Sequence, residues 1–224
     1  MNSAASAHRL FVTGATGYLG SRLIPLLLER GHHVTALVRR ESVVNAPLGC
    51  SVVVGNPLDG ETFGEQLQDV DTLVQLVGIP KPAPWKGPQF RAIDGPSAMA
   101  SIGAARAANV QHFVYVSVAQ PAPIMKDYIA VRAACEAAIA AAGLIATILR
   151  PWYILGPGHW WPVALMPGYG LLERLPATHD AATRLGLVTI QEMIAAMVWS
   201  IEHPPARTRV IEVPEIRRLG RGNR

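Results

Sequence analysis

Three glycines spaced three and three carry the clearest chemistry in this sequence, in the run Val12-Thr13-Gly14-Ala15-Thr16-Gly17-Tyr18-Leu19-Gly20. The run lies between a short apolar segment and an amphipathic one. In that setting Gly14 permits a tight turn, Gly17 lets main chain approach a diphosphate, and Gly20 lets the following helix pack close to a sheet. A helix starting there directs unpaired N–H groups and the positive end of its dipole at the phosphates. The backbone of Gly14, Ala15, Thr16, Gly17, Tyr18, Leu19 and Gly20 is therefore expected to hold a dinucleotide. The alternative is a glycine-rich turn that binds nothing.

Roughly 20 residues beyond such a loop, an acid would bind the ribose 2′-hydroxyl and select NAD. No acid occurs from Val34 through Arg40, and the segment ends Val38-Arg39-Arg40. Guanidinium groups pair well with a 2′-phosphate. NADP(H) is therefore favoured, with NAD(H) as the alternative. Against this, Arg39 and Arg40 can simply end a strand in solvent, and Glu41 follows them directly.

These groups need a frame to position them. Nearly continuous apolar runs occur at 10–12, 34–38, 52–54, 73–77, 113–116 and 145–149, as expected of parallel strands covered on both faces. Between them lie helix-like segments at 18–30, 61–67 (the weakest), 96–108 and 127–142, and Gly31 and Gly143 stand where two of these should stop. Strand and helix in alternation predict an α/β doubly wound parallel sheet over residues 1–150. After Arg150-Pro151 the composition shifts to Pro, Gly, Trp and His. A short helix near 161–175, an amphipathic helix at 189–203 and a strand at 210–213 read as a small C-terminal lid, 151–216. Residues 217–224 read as a basic, flexible tail. The stretch from His159-Trp160-Trp161 onward suits an apolar small molecule, a lipid surface or a protein partner, or fills the lid's own core. His159 and His179 are candidate proton donors there, with a structural role as the alternative.

Half of the 224 residues are hydrophobic and 16% are charged, which excludes global disorder. No apolar run reaches the ~18 residues of a membrane-spanning helix, and the first nine residues carry no secretory pattern. Cys50 and Cys135 lie far apart without metal-ligand spacing, so no metal site is expected, and they fit a reduced, cytoplasmic setting. The formal charge of +4 comes from the tail: with Arg217, Arg218, Arg221 and Arg224 set aside, the 20 basic residues fall to 16, against 16 acids. Nucleic acid is therefore not the expected partner.

Thr13-Gly14-x-x-Gly17-x-x-Gly20, then Val114-Tyr115-Val116-Ser117 and Leu149-Arg150-Pro151, resemble the short-chain dehydrogenase/reductase superfamily. The likeness is to its extended and atypical branches, including NmrA-like proteins and relatives of the nucleotide-binding accessory subunit of respiratory complex I. It spans nearly the whole chain and implies a Rossmann-like fold. It also implies that Asn56, in place of the family's acid, meets the adenine, and that Leu76, Val77 and Gly78 pass the cofactor ribose. Pro151 and Tyr153 would lead across the nicotinamide into the lid. Asp94 stands where extended members often carry an Asn.

Reductases of that family use a Tyr, a Lys four residues on, and a Ser ending the fifth strand. Here those positions read Tyr128, Arg132 and Ser117. Positions i and i+4 share a helical face. In the family, the cation lowers the tyrosine pKa from about 10, so that it passes a proton while the nicotinamide passes hydride. Arg132 departs from this pattern, because its planar fork is a poor replacement for a compact ammonium. Three readings stay open. The first is catalysis, with Tyr128 as proton donor, Ser117 as orienter of the substrate oxygen and Arg132 as electrostatic support. The others are cofactor binding without turnover and an exposed helix pair without a role. The expected function is an NADP(H)-binding oxidoreductase acting on a carbonyl, alkene or alcohol of an apolar small molecule. The competing one is a non-catalytic dinucleotide sensor or assembly protein.

Overall fold

Successive side chains point to opposite faces of a strand, and β1 (Arg9–Thr13) uses both faces. Leu10 and Val12 join one apolar core and Phe11 joins another, all three at most 1% exposed. The computed structural model describes residues 7–122, 124–158 and 185–222 of the chain. Beside β1 run β2 (His33–Val38), β3 (Ser51–Val54), β4 (Thr72–Gln75), β5 (His112–Val116), β6 (Ala146–Arg150) and β9 (Arg209–Glu212). They form one sheet in the order β3-β2-β1-β4-β5-β6-β9, every pairing parallel. The chain reverses its direction of travel across the sheet between β1 and β4, which is where doubly wound sheets open a crevice for ligands.

Helices cover both faces, as buried parallel strands require. On one side α1 (Gly20–Glu29) contributes Leu23, Ile24 and Leu27, and α4 (Ile190–Glu202) contributes Met193, Met197 and Ile201. On the other, α2 (Gly95–Ala107) contributes Ile102 and Ala105, and α3 (Lys126–Ala141) contributes Cys135 and Ile139. Gly31 and Gly143 follow α1 and α3 with φ of 84° and 71°, the left-handed conformation that ends a helix. Thr189 and Glu192 cap α4 reciprocally, each side chain accepting the other's backbone N–H, a pattern that fixes a helix start.

Three expectations are corrected. Residues 61–67 form two 3-10 turns, Gly60–Thr62 and Gly64–Leu67, rather than one helix. Glycine at the head of each turn breaks the run, while Phe63 and Leu67 still reach the core. The region 151–216 is not all a lid packed on the sheet. Its α4 and β9 belong to the main layers, and among the described residues β7 (Tyr153–Leu155) and β8 (Leu187–Thr189) pair apart from them, in a two-stranded sheet. The basic tail does not begin at 217, because α5 (Val213–Arg221) runs through it. Burial of Val213 and Ile216, a hydrogen bond of 2.9 Å from Arg217 Nε to the Leu187 carbonyl, and packing of Gly220 on Glu192 fasten α5 down. The helix expected near 161–175, with His159, Trp160, Trp161 and His179, lies outside the described residues.

Candidate functional site

The glycine run leaves β1 and enters α1 at the head of the crevice. Gly14 has φ of 68°, and a Cβ there would lie 2.7 Å from the Leu76 carbonyl carbon just past β4. A Cβ at Gly20 would lie 2.5 Å from the Gly14 oxygen. Neither position has room for a side chain. The Gly17 amide donates to Gly14 O, and the Ser21 amide to Gly17 O, both at 3.0 Å. The loop is thereby closed on itself below the start of α1, where Leu19 O accepts the Arg22 and Leu23 amides at 3.1 and 2.9 Å. Beneath it, Thr13 Oγ1 donates to Gln75 Oε1 in a fully buried pair. Gln75 Nε2 donates to Ser97 Oγ at 3.2 Å, and Ser101 Oγ donates to Gln75 Oε1 at 3.3 Å. One glutamine thus fixes β1, β4 and α2 relative to one another. The Tyr18 ring lies 4.3 Å from the Arg22 guanidinium, and its hydroxyl abuts Gly156 just after β7.

At the far end of the crevice, Arg39 and Arg40 are exposed past the end of β2. The Gly55 amide donates to Val38 O at 3.1 Å, which brings Asn56 to the same end. Asn56 Oδ1 accepts the Leu58 amide at 3.1 Å. Arg39 pairs with Glu41 at 3.0 Å, both side chains being mostly exposed. Such a pair is worth roughly 0–1 kcal/mol, so it does not compete with a phosphate for Arg39.

On the other side of the β4 loop stand Tyr128 and Arg132, in the first turns of α3. Arg132 is 6% exposed, which removes the reading of an exposed helix pair. Its Nη2 donates to Asp94 Oδ1 at 2.6 Å and its Nη1 to Val116 O at 2.8 Å and Tyr115 Oη at 3.3 Å. Asp94 Oδ2 also accepts the Ile79 amide at 3.0 Å. A Cβ at Gly78 would lie 2.5 Å from Arg132 Nη2, so the guanidinium occupies the space that a side chain at 78 would need. Arg132 Nε is buried without a hydrogen-bond partner. Tyr128 is half-buried, its ring 4.8 Å from Phe90 and 5.1 Å from the Arg132 guanidinium.

Charge at this cluster follows from burial. Burial pushes the Tyr128 phenol above its ordinary range; Arg132 opposes the shift and Asp94 adds to it. Burial likewise raises the Asp94 carboxyl, against the pull of Arg132 and the Ile79 amide. For Arg132 burial works against the charge, but Tyr128, Tyr115 and Asp94 outweigh it and keep the guanidinium charged.

Ser117 follows β5 directly. It is buried, and its hydroxyl donates to Glu136 Oε1 at 2.5 Å. Glu136 also accepts from Gln120 Nε2 at 3.1 Å and from Arg150 at 3.0 and 2.5 Å. A hydroxyl has one hydrogen to give, and here a carboxylate takes it. Pro151 is buried beside this cluster and its carbonyl accepts the Ala119 amide at 3.0 Å, while Tyr153 is half-buried in β7.

Sequence reasoning missed what Phe90, Gln75 and Glu136 do, and noted Asp94 only as a departure from a pattern. Phe90 and Asp94 both come from a π-helical turn, Phe90–Asp94, ahead of α2. Such turns are frequent at functional sites but carry no periodic signal of their own. Glu136 is four residues beyond Arg132, so helical spacing alone places it one turn along the same face.

The groups present fit a dinucleotide. The glycine loop is a cradle that a Cβ would fill, and the described residues leave a buried donor, Arg132 Nε, unused in the guanidinium that abuts Gly78 of the β4 loop. A family model described as NAD(P)H-binding matches residues 14–158. Ceramide reductase of Caulobacter vibrioides is 28% identical over 211 residues, which are 93% of this chain and 65% of that protein. The Photosystem II assembly factor Ycf39 of Synechocystis is 27% identical over 120 residues, 53% of this chain and 36% of that protein. The chain thus spans less than two thirds of the length of these relatives. The solved structure of the Bordetella bronchiseptica enzyme WbmG in complex with NAD superposes with a TM-score of 0.66 at 18% identity, over 95% of this chain and 74% of that one.

Proposed function

Since this chain belongs to the NAD(P)H-binding family, Rossmann-fold proteins of the short-chain dehydrogenase/reductase kind, we propose that it is an NADP(H)-dependent oxidoreductase acting on an apolar small molecule. The observation that carries the reading is the β4 loop, residues 76–78. On one side it touches the glycine cradle at Gly14, and on the other the Arg132–Asp94 pair at Gly78. Diphosphate cradle and proton-bearing phenol are therefore served by one short segment.

The loop of residues 14–20 would hold the diphosphate, and Arg39 and Arg40 the 2′-phosphate. Asn56 would meet the adenine edge, residues 76–78 the ribose, and Pro151 and Tyr153 the nicotinamide side. The bound cofactor supplies hydride. Tyr128 holds the proton that accompanies it, at Oη, and Arg132 fixes the floor of the site. An apolar substrate is supported by the ceramide reductase likeness. Oxidation of NADPH in the presence of an apolar carbonyl panel tests the reading. Activity should be lost in Tyr128→Phe while cofactor affinity persists. In Arg39→Ala/Arg40→Ala, NADPH affinity should fall at least tenfold more than NADH affinity, and equal weakening would refute the NADP(H) preference.

The engagement of Ser117 by Glu136 favours a second reading, dinucleotide binding without turnover, as in a sensor or assembly protein. The same assay separates the two: tight NADPH binding with no carbonyl reduced, and no effect of Tyr128→Phe on partner binding, selects the second.

A further inference from the structure

Two departures from the family pattern meet in space. Asp94, where an Asn is usual, and Arg132, where a Lys is usual, form one buried ion pair at 2.6 Å with side-chain exposures of 0% and 7%. Neither change stands well alone. Arginine with asparagine would leave an uncompensated buried cation, and aspartate without a guanidinium an uncompensated buried anion, each strongly unfavourable. Together they put a neutral dipole where the pattern has a net positive charge. Resting on the proposed reductase reading, we infer that Asp94 is a positioning residue whose ion pair with Arg132 offsets the charge beside Tyr128 and holds that phenol in its proton-bearing form, the form that serves carbonyl reduction.

The remaining charges near Tyr128 do not restore the missing cation. On its own helix Asp127 is exposed and is held by Arg91 of the π turn at 3.0 Å, and Lys126 is exposed. From the 3-10 turn Pro84–Lys86, the Lys86 ammonium is bound to the carbonyls of Pro80 and Lys81 at 2.8 and 3.0 Å. From β5, Tyr115 contributes a hydroxyl already engaged by Arg132. Among the described residues, Arg132 and Asp94 are the buried charges facing the phenol. Burial favours the uncharged phenol; Arg132 opposes this, and Asp94 counters Arg132. In the reaction the carbonyl carbon takes hydride from NADPH and the carbonyl oxygen takes the Tyr128 proton. The products are an alcohol and NADP+, and the phenolate regains its proton from solvent.

The test is the titration of Tyr128 in the full chain, followed by carbon-13 NMR of ζ-labelled tyrosine and assigned with Tyr128→Phe. In the wild type, Tyr128 should titrate above the ordinary value of about 10. Asp94→Asn leaves Arg132 unopposed and should bring the titration down by about one pH unit or more, at least tenfold more phenolate at a given alkaline pH. Asp94→Asn/Arg132→Gln removes both charges and should return it to within about half a unit of wild type; that variant carries no buried net charge, so it decides the matter if Asp94→Asn does not fold. A titration unmoved or raised by Asp94→Asn, or a double variant that stays a unit or more from wild type, overturns the inference. In the enzyme assay the alkaline limb of the pH profile for carbonyl reduction should move down by about one pH unit in Asp94→Asn. A wild-type chain that turns nothing over while the titrations behave as described would refute the reductase reading and leave the charge pairing standing.

Discussion

Gly17→Ala and Gly14→Ala should separate ligand binding from folding within one loop. Gly14 has φ of 68°, and its added Cβ would meet Leu76 and Val77 backbone at 2.7–2.9 Å. Left-handed backbone costs a non-glycine residue roughly 1–2 kcal/mol, and overpacking against backbone another ~1–3. For a domain of this size, each kcal/mol lowers the melting temperature by roughly 2–4 °C, so Gly14→Ala should melt on the order of 10 °C below wild type. At Gly17 the only close neighbour of an added Cβ among the described residues is the Gly14 oxygen at 3.0 Å. Loss of stability there should stay within about 1 kcal/mol. The same methyl would stand where the proposed diphosphate approaches. Losing one or two charged hydrogen bonds at roughly 1.5–3 kcal/mol each corresponds to at least a tenfold weaker NADPH affinity. Differential scanning fluorimetry and titration of NADPH fluorescence measure the two effects separately. Gly17→Ala binding NADPH as wild type does, or melting as low as Gly14→Ala, would refute this account of the loop.

Two further outcomes follow from the buried polar groups. Gln75→Leu takes the acceptor from the Thr13 and Ser101 hydroxyls, both 0% exposed, while Ser97 Oγ keeps its bond to the Asp94 carbonyl; orphaned buried groups cost about 1–3 kcal/mol each. Urea unfolding should show a loss of about 2–4 kcal/mol, and a loss below about 1 would mean that the network does not clamp β1 to β4. His112 is buried between Thr72 and Thr147, and burial lowers its pKa from 6.5 to about 4. The unfolded chain therefore takes up the proton first as pH falls, so this contribution to stability is full above about pH 6.5 and is lost down to about pH 4. The loss amounts to about 3 kcal/mol. In His112→Gln that stretch of the stability profile should flatten by this amount, and an unchanged slope would contradict the assignment.

The scaffold was legible because its signals are local. Leu10-Phe11-Val12 is apolar throughout and Val34 to Val38 nearly so, as strands buried on both faces require, and Gly31 and Gly143 end helices where their φ values demand glycine. The glycine loop was legible for the same reason, since steric demands at Gly14 and Gly20 come from fixed neighbours. Long-range polar pairing was not. Arg132 reads as an oddity until Asp94, 38 residues away, is seen to hold it, and Ser117 reads as a free hydroxyl until Glu136 takes its hydrogen. Arg217 to Arg221 read as a charged tail because their short helical stripe consists of Val213, Ile216 and Leu219. Pattern alone does not reveal which partner a polar side chain finds.

The central claim is that the glycine loop between β1 and α1 cradles a dinucleotide diphosphate. A thermal-shift comparison of NADPH, NADP+, NADH and NAD+ tests it directly, because a ligand of the folded state at about 100 times its Kd stabilises by about 2.7 kcal/mol. The account predicts a rise of roughly 5–10 °C with NADPH, larger than with NADH, and largely abolished in Gly17→Ala. No rise with any of the four nucleotides, or a rise that Gly17→Ala leaves intact, would contradict it.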